Sequence, residues 1–422
     1  MEYSVIEEKI LKQKNYYIIN ITRLPIFSFD NKNITKNRFP VLKKEVFFLI
    51  DFEDVFVQLK KCLEKYKNDL VLVIFTEYFF SEYNIIQNDI FERIINLCKM
   101  VTNDYMNCFI FINLLHYIDN NIITNEIKED LLTYTSQIYD YKIEFNWEVK
   151  NCYSPNDKLF DIKGNKSWYS NTVFVIFRNK IILKKRKSTY SNEIGENHLN
   201  NYFFGFGFNE KGDELNEEEE KFFDLINNYF CIFICYDYQR RIDYYRNLIL
   251  NEKEYYIQFD EIIKQKVLNL KNLFKKYSSK YSSIEKDKKK IFLLISNTTN
   301  INSNLSDIPE NALIVYCDPM ASAVFNLEKD DNIKNIIMVH NNSLENEQIK
   351  LKYHSIQVNY FHIFDKIKNS FENEIMEKNF FRITNKYIPI KEQFYVEHII
   401  INKLRYNRFI NKIFFNIFNI KG

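Results

Sequence analysis

The sequence predicts an α/β fold built on a sheet buried on both faces. Short, wholly apolar runs recur through the first third of the chain, they alternate with segments of helical apolar spacing, and the runs are rich in β-branched residues.

The first run, YYIINIT at residues 16–22, reads as a strand. From residue 52 to 66 the apolar positions Phe52, Val55, Phe56, Leu59, Cys62, Leu63 and Tyr66 follow the helical repeat. Residues 70–75 (LVLVIF) return to strand, 89–101 to helix and 108–115 (CFIFINLL) to strand, giving a βαβαβ order. Residues 119–166 break that rhythm with mixed polar sequence and are expected to be an insertion with some helix near 127–139. A hairpin follows, with strands at 172–177 and 181–185 around a turn at Arg178 and Asn179. The acidic stretch 214–221 leads into a strand at 230–234. Residues 252–290 are lysine-rich and helical in pattern, which predicts a second insertion on the surface. Strands are expected at 291–296, 312–317 and 336–340. The last stretch, 398–422, carries Lys403, Arg405, Arg408, Lys412 and Lys421 among apolar residues and no acid. Residues 363–422 are therefore expected to form a C-terminal helical, basic extension behind a domain spanning residues 1–362. Contact with a second subunit is the expected use of that tail, against RNA or anionic lipid.

Bulk properties exclude several classes. With 46% hydrophobic and 27% charged residues the chain is that of a globular protein. It holds only 6 Gly and 6 Pro against 39 Phe and 30 Tyr, where roughly 7% Gly and 5% Pro is usual. AT-rich coding produces this skew, so the aromatic richness argues little for base stacking. The 58 basic and 56 acidic residues leave a formal charge of +2, too small to draw nucleic acid or an anionic membrane. Seven dispersed cysteines without a CxxC pair suit a reduced compartment and argue against structural zinc. His116, His198, His340, His354, His362 and His398 show no ligand spacing, and neither a metal nor a cofactor is expected. No apolar run approaches the about 18 residues a membrane span needs, and residues 1–14 lack an apolar signal core. A cytoplasmic location is the expectation.

Three segments can carry chemistry, and each also has a bland reading. Glu77 closes the strand in LVLVIFTE, where α/β sheets place ligand crevices, or it is an exposed strand-ending acid. Lys187 ends the hairpin in KKRK, which is otherwise a solvated basic edge. Cys235 follows the apolar run FCIFI and is either a small buried hydrophobe or a nucleophile.

Taken together and in this order, the segments resemble the nitrilase (carbon-nitrogen hydrolase) superfamily. IFTE matches its strand ending in Glu, NTVFVIFRNKIILKKRK matches its hairpin leading to Lys, and FICYD matches its strand ending in Cys, with Tyr236 and Asp237 in their usual company. The resemblance covers about residues 16–339, with gaps at the two insertions. It departs at Thr76, where the family usually has Pro, and after Cys235, where YDYQRRIDYY replaces a Phe-Pro-Glu-like element. Residues 316–325, YCDPMASAVF, resemble the late strand and loop near which members complete their pocket, or are an ordinary strand and turn.

The resemblance implies a four-layer α-β-β-α sandwich, here with two insertions and the C-terminal extension, that assembles into homodimers or larger homo-oligomers. It implies Cys235 as nucleophile, Glu77 as its base, Lys187 as the cation beside it, the Tyr236 backbone N–H as an oxyanion donor, and a supporting glutamate for which Glu196 fits better than Glu193. The physical need is clear: a thiol of pKa about 8.5 is mostly protonated at neutral pH, so a carboxylate must take its proton and a cation must favour the thiolate. The function so implied is hydrolysis of a non-peptide carbon-nitrogen bond in a small molecule, a linear amide in preference to a nitrile, through an acyl-enzyme. The alternatives are an amine-accepting acyltransferase and an inactive scaffold of the same fold that binds a partner.

Overall fold

The computed structural model describes residues 1–23, 52–80, 85–118, 168–187, 202–203, 209–235, 237, 272, 288–296, 312–317, 321–327, 333–340, 394–402 and 412–421. The first strand, β1 (Tyr16–Arg23), is preceded by a helix, α1 (Tyr3–Lys12), that sequence reasoning missed. Its buried stripe is only Ile6 and Ile10, one turn apart, which is too little periodicity to stand out in a charged segment. Gln13 closes it in the left-handed conformation.

The helix expected at 52–66 is α2 (Phe52–Leu63) tightened at its end into a 3-10 turn, Glu64–Tyr66. Then come β2 (Leu70–Phe75), α3 (Asn88–Asp104) and β3 (Cys108–Ile118), and β1, β2 and β3 run parallel. β2 is buried throughout because both faces are covered. Leu70, Leu72 and Ile74 join one core, whereas Val71, Val73 and Phe75 join a second core with Val55, Phe56 and Leu59 of α2 and Ile94, Cys98 and Val101 of α3.

β4 (Trp168–Phe177) and β5 (Lys180–Arg186) form the expected hairpin. Its loop residues Arg178 and Asn179 have φ of 46° and 62°, the double left-handed geometry of a type I′ turn. The short strands β6 (Tyr202–Phe203) and β7 (Asn209–Lys211) pair with β4 and β5. The acidic stretch starts α4 (Glu217–Tyr229): Asn216 and Glu219 form a reciprocal capping box, and four first-turn glutamates face the positive end of the helix dipole. At the other end Lys289 Nζ donates to the carbonyls of Asn227 and Phe230, at 2.6 and 2.7 Å.

β8 (Phe230–Ile234), β9 (Ile291–Ile295) and β10 (Leu313–Cys317) are parallel, and β11 (Ala321–Leu327) and β12 (Ile333–His340) continue that sheet antiparallel. β13 (Phe394–Asn402) and β14 (Lys412–Ile420) close the described chain. Among the described residues there are thus two sheets, a nine-stranded one ordered β13-β14-β1-β2-β3-β4-β5-β7 with β6 on β4, and a five-stranded one ordered β12-β11-β10-β9-β8.

The sheets lie face to face. Ile18, Leu72, Ile74, Phe111 and Val173 of the first share one core with Ile232, Ile234, Leu293, Leu313 and Val315 of the second. Polar ties cross the same interface: Asn20 Nδ2 donates to the Tyr316 carbonyl at 3.0 Å, and Asn416 Nδ2 donates to Ser322 Oγ at 3.3 Å. With α2 and α3 on the outer face of the larger sheet, the α/β fold and three of the expected layers are present. The crossover joining parallel β8 to β9, where the fourth layer is expected, falls within residues 236–290, nearly all outside the described residues. The first insertion, 119–166, also lies outside them.

One expectation is corrected. The C-terminal extension is not helical where it is described: β14 pairs antiparallel with β1 from Tyr16↔Ile420 to Arg23↔Ile413, and β13 pairs with β14. A division at residue 362 therefore does not separate it from the sheet. The physical reason is the two-residue alternation of KIFFNIFNI, in which Ile413, Phe415 and Ile417 face the helical layer and Phe418 and Ile420 face the second sheet. Lys403, Arg405 and Arg408 lie outside the described residues. Among the described residues no helix is long and apolar enough to cross a membrane.

Candidate active site

Glu77 sits in the turn that follows β2 and is buried. The turn is held at both ends of its backbone. Thr76 N–H donates to the Ile21 carbonyl at 3.2 Å, and Phe79 N–H returns to the Thr76 carbonyl at 3.3 Å. Tyr78 adopts φ 58°, uncommon for an aromatic residue, and this aims its N–H at Asn113 Oδ1, 3.2 Å away. Phe79 and Phe80 pack edge-on against each other with Phe79 edge-on to Phe75, while Phe80 stacks on Phe56 of α2. An aromatic cluster thus anchors the loop that presents the carboxylate.

Lys187 follows β5, its N–H bound to the Asn171 carbonyl of β4 at 2.8 Å. Its Nζ lies 2.7 Å from Glu77 Oε1, and the two side chains are 2% and 0% exposed. Asn171 Nδ2 donates to the same Oε1 at 2.8 Å and lies 3.3 Å from the Tyr78 hydroxyl. Asn113 Nδ2 in turn donates to Asn171 Oδ1 at 2.6 Å. Glu77 Oε2, equally buried, has no hydrogen-bond partner among the described residues.

Burial disfavours the Lys187 ammonium, but the charges of Glu77, Tyr78, Cys235 and Asp237 outweigh it and hold its pKa well above the ordinary lysine range. The Tyr78 ring adds its face, 6.0 Å from Nζ. Lys187 is therefore a permanent cation in a water-poor site, where its field is strong.

Cys235 stands at the end of β8, 7% exposed, with φ 45°. Its N–H donates to the Ile295 carbonyl at 2.7 Å, which keeps the strand-end pairing while the left-handed turn redirects the chain. Among the six described cysteines it alone has a positive φ. Ser296, at the end of β9, donates its hydroxyl to Cys235 Sγ at 3.7 Å. Asp237 is buried two residues on.

Glu77, Lys187 and Cys235 thus stand at the ends of β2, β5 and β8, the first two in direct contact and Cys235 among the charges that act on Lys187. Tyr236, Glu193 and Glu196 lie outside the described residues. Sequence reasoning missed Asn113, Tyr78 and Ser296 and gave Asn171 no role. The available signal was a polar residue interrupting an apolar strand, as Asn113 does in CFIFINLL. Among the described residues no group of three or more His, Cys, Asp or Glu is placed to hold a metal.

Comparison with known proteins finds no matching family model and no matching curated protein. Among solved structures the chain is similar to a glutamine-dependent NAD+ synthetase from Acinetobacter baumannii, with a TM-score of 0.34 and 9% identity over 77% of this chain and 45% of that one. It is also similar to a glutamine-dependent NAD+ synthetase from Cytophaga hutchinsonii, with a TM-score of 0.33 and 10% identity over 78% of this chain and 43% of that one. The chain spans less than half the length of these two solved chains.

Proposed function

We propose that the protein hydrolyses a non-peptide carbon-nitrogen bond of a small molecule, a linear amide in preference to a nitrile, through an acyl-enzyme on Cys235. The observation that carries this reading is the buried Glu77–Lys187 pair beside Cys235, with Glu77 Oε2 uncommitted among the described residues.

Glu77 Oε2 takes the Cys235 proton, and the Lys187 cation favours the thiolate. The thiolate attacks the amide carbon, and the charge that grows on the substrate oxygen is met by Lys187 and by the N–H of Tyr236. The intermediate collapses with cleavage of the carbon-nitrogen bond, and the proton held by Glu77 leaves with the amine. Water then enters, Glu77 takes one of its protons, and the hydroxide adds to the thioester carbon and expels the Cys235 thiolate, which releases the acid and recovers its proton from Glu77. Glu196 supports this cycle as a second carboxylate. An amine in place of water makes the same site an acyltransferase. An inactive scaffold is disfavoured because a buried ion pair costs desolvation free energy that a well-packed apolar pair would not.

The test is amine release from a panel of short linear amides, with intact-mass detection of the acylated chain. Turnover that vanishes in Cys235→Ala, together with an acyl adduct on Cys235, supports the reading. Amide turnover that survives in Cys235→Ala overturns it. Product formation accelerated by added hydroxylamine assigns the transferase variant. The homo-oligomer expected with this reading has a solution mass that is a multiple of 51.4 kDa, which light scattering measures.

A further inference from the structure

We infer that Asn113 and Asn171 form a one-way amide chain that fixes Glu77 Oε1 as an acceptor, so that the Cys235 proton is received at Oε2. This rests on the thiol-hydrolase reading and assigns two positioning residues to it.

The direction of the chain follows from its first link. A backbone N–H can only donate, so Tyr78 N–H obliges Asn113 to present Oδ1 to it, 3.2 Å away. The other half of that amide, Nδ2, must then face Asn171, whose near atom has to be the acceptor Oδ1 at 2.6 Å. Asn171 is left with Nδ2 toward Glu77, and a donor meets Oε1 at 2.8 Å. The circuit begins at the backbone of residue 78 and ends on the side chain of residue 77. Each polar atom of the two asparagine side chains is used, and both residues are fully buried.

Oε1 consequently accepts from two donors that cannot reverse, Asn171 Nδ2 and the Lys187 ammonium at 2.7 Å. A proton on Oε1 would face donors on both sides. Oε2 has no partner among the described residues and is the oxygen left to receive it. The two asparagines are diagonal neighbours on adjacent strands, since Asn113 pairs with Val173 and Asn171 with Leu115. Apolar residues at both positions would fill the core but leave the Tyr78 N–H and Glu77 Oε1 each short of a partner. What the amides add is the sense of the hydrogen bonds.

The test is the pH dependence of Cys235 alkylation by iodoacetamide, mapped by mass spectrometry, in wild type, Asn171→Asp, Asn171→Leu and Glu77→Gln. Wild type is expected to show a low-pH limb where the Glu77–Cys235 couple gains a proton, and Glu77→Gln to lose it. Asn171→Asp replaces the donor on Oε1 by an acceptor, so two carboxylates must share a proton and the limb moves up by about one pH unit or more. Asn171→Leu, branched at the same atom though bulkier, and adding no buried charge, supplies the same readout should the aspartate variant not fold. It removes a charge-assisted hydrogen bond, and alkylation below the limb falls about 10- to 100-fold. A merely structural role would lower thermal stability and leave the limb in place. A limb at the wild-type position in both Asn171 variants, while Glu77→Gln abolishes it, overturns this inference and leaves the thiol-hydrolase reading standing. A wild-type Cys235 that titrates like the other thiols overturns both.

Discussion

Lys187 Nζ lies 2.7 Å from Glu77 Oε1 with both side chains removed from solvent, which makes the pair expensive to build and expensive to break. Two ions taken out of water lose several kcal/mol of hydration each, and their attraction in the interior offsets that only when every remaining hydrogen bond is made. Here Oε2 has no partner among the described residues, so within them the pair is incompletely satisfied, and the proposed proton transfer uses the oxygen left over.

Removing one partner strands the other as a buried charge. Glu77→Gln or Lys187→Met alone is expected to destabilise the fold by about 3 to 5 kcal/mol, whereas the double replacement recovers much of that loss while remaining inactive. Thermal or denaturant unfolding of the three variants measures the coupling, and a double variant as unstable as the sum of the singles would show that the two charges do not compensate each other.

Ser296 is expected to be a modest contributor. Its hydroxyl reaches Cys235 Sγ at 3.7 Å, and a neutral donor to a developing thiolate is worth about 0.5 to 1.5 kcal/mol. Ser296→Ala should slow alkylation of Cys235 about 2- to 10-fold with little change in unfolding midpoint. An unchanged rate removes Ser296 from the site.

Acid sensitivity should include a histidine outside the group formed by Glu77, Lys187 and Cys235. His116 packs against the rings of Phe91 and Phe174, which also pack edge-on against each other, and its Nδ1–H donates to the Tyr117 carbonyl at 2.8 Å. Burial, helped by the Arg186 and Lys184 charges and opposed by that hydrogen bond, pushes its pKa down to about 3. The folded state therefore binds this proton less readily than the unfolded chain. Stability is unaffected by it above about pH 6.5 and falls as pH drops from there toward about 3. Partial exposure of His116 limits the effect to about 1 to 3 kcal/mol. In His116→Gln the unfolding free energy should lose that part of its slope below pH 6.5, and an identical slope would contradict the assignment.

β14 should behave as core. Phe418 is fully buried between the sheets, and Phe418→Ala is expected to cost about 3 to 5 kcal/mol in denaturant unfolding. A loss below about 0.5 kcal/mol, typical of surface positions, would return this segment to the status of an appendage.

Much of this architecture is legible in the sequence because its signals are local. LVLVIF, CFIFINLL and FCIFI read as strands since a sheet covered on both faces needs no alternation, and the hairpin declares itself through its two-residue turn. β14 was not legible because its partner β1 lies at the opposite end of the described chain, and nothing near residues 412–420 announces that pairing. The site divides in the same way. Glu77, Lys187 and Cys235 stand out as chemical groups at strand ends. Asn113 and Asn171 are single polar residues in apolar strands, and their purpose emerges only once β3, β4 and the turn after β2 are side by side. The left-handed backbone of Tyr78 and Cys235 has no sequence signature, since neither residue type favours it.

Activation of Cys235 is read by competitive labelling of the folded protein with a mild thiol electrophile followed by mass mapping. Cys235 is expected to react fastest of the seven cysteines, and Glu77→Gln and Lys187→Ala are each expected to slow it. Labelling of Cys235 no faster than the other thiols, and indifferent to both substitutions, would contradict that activation.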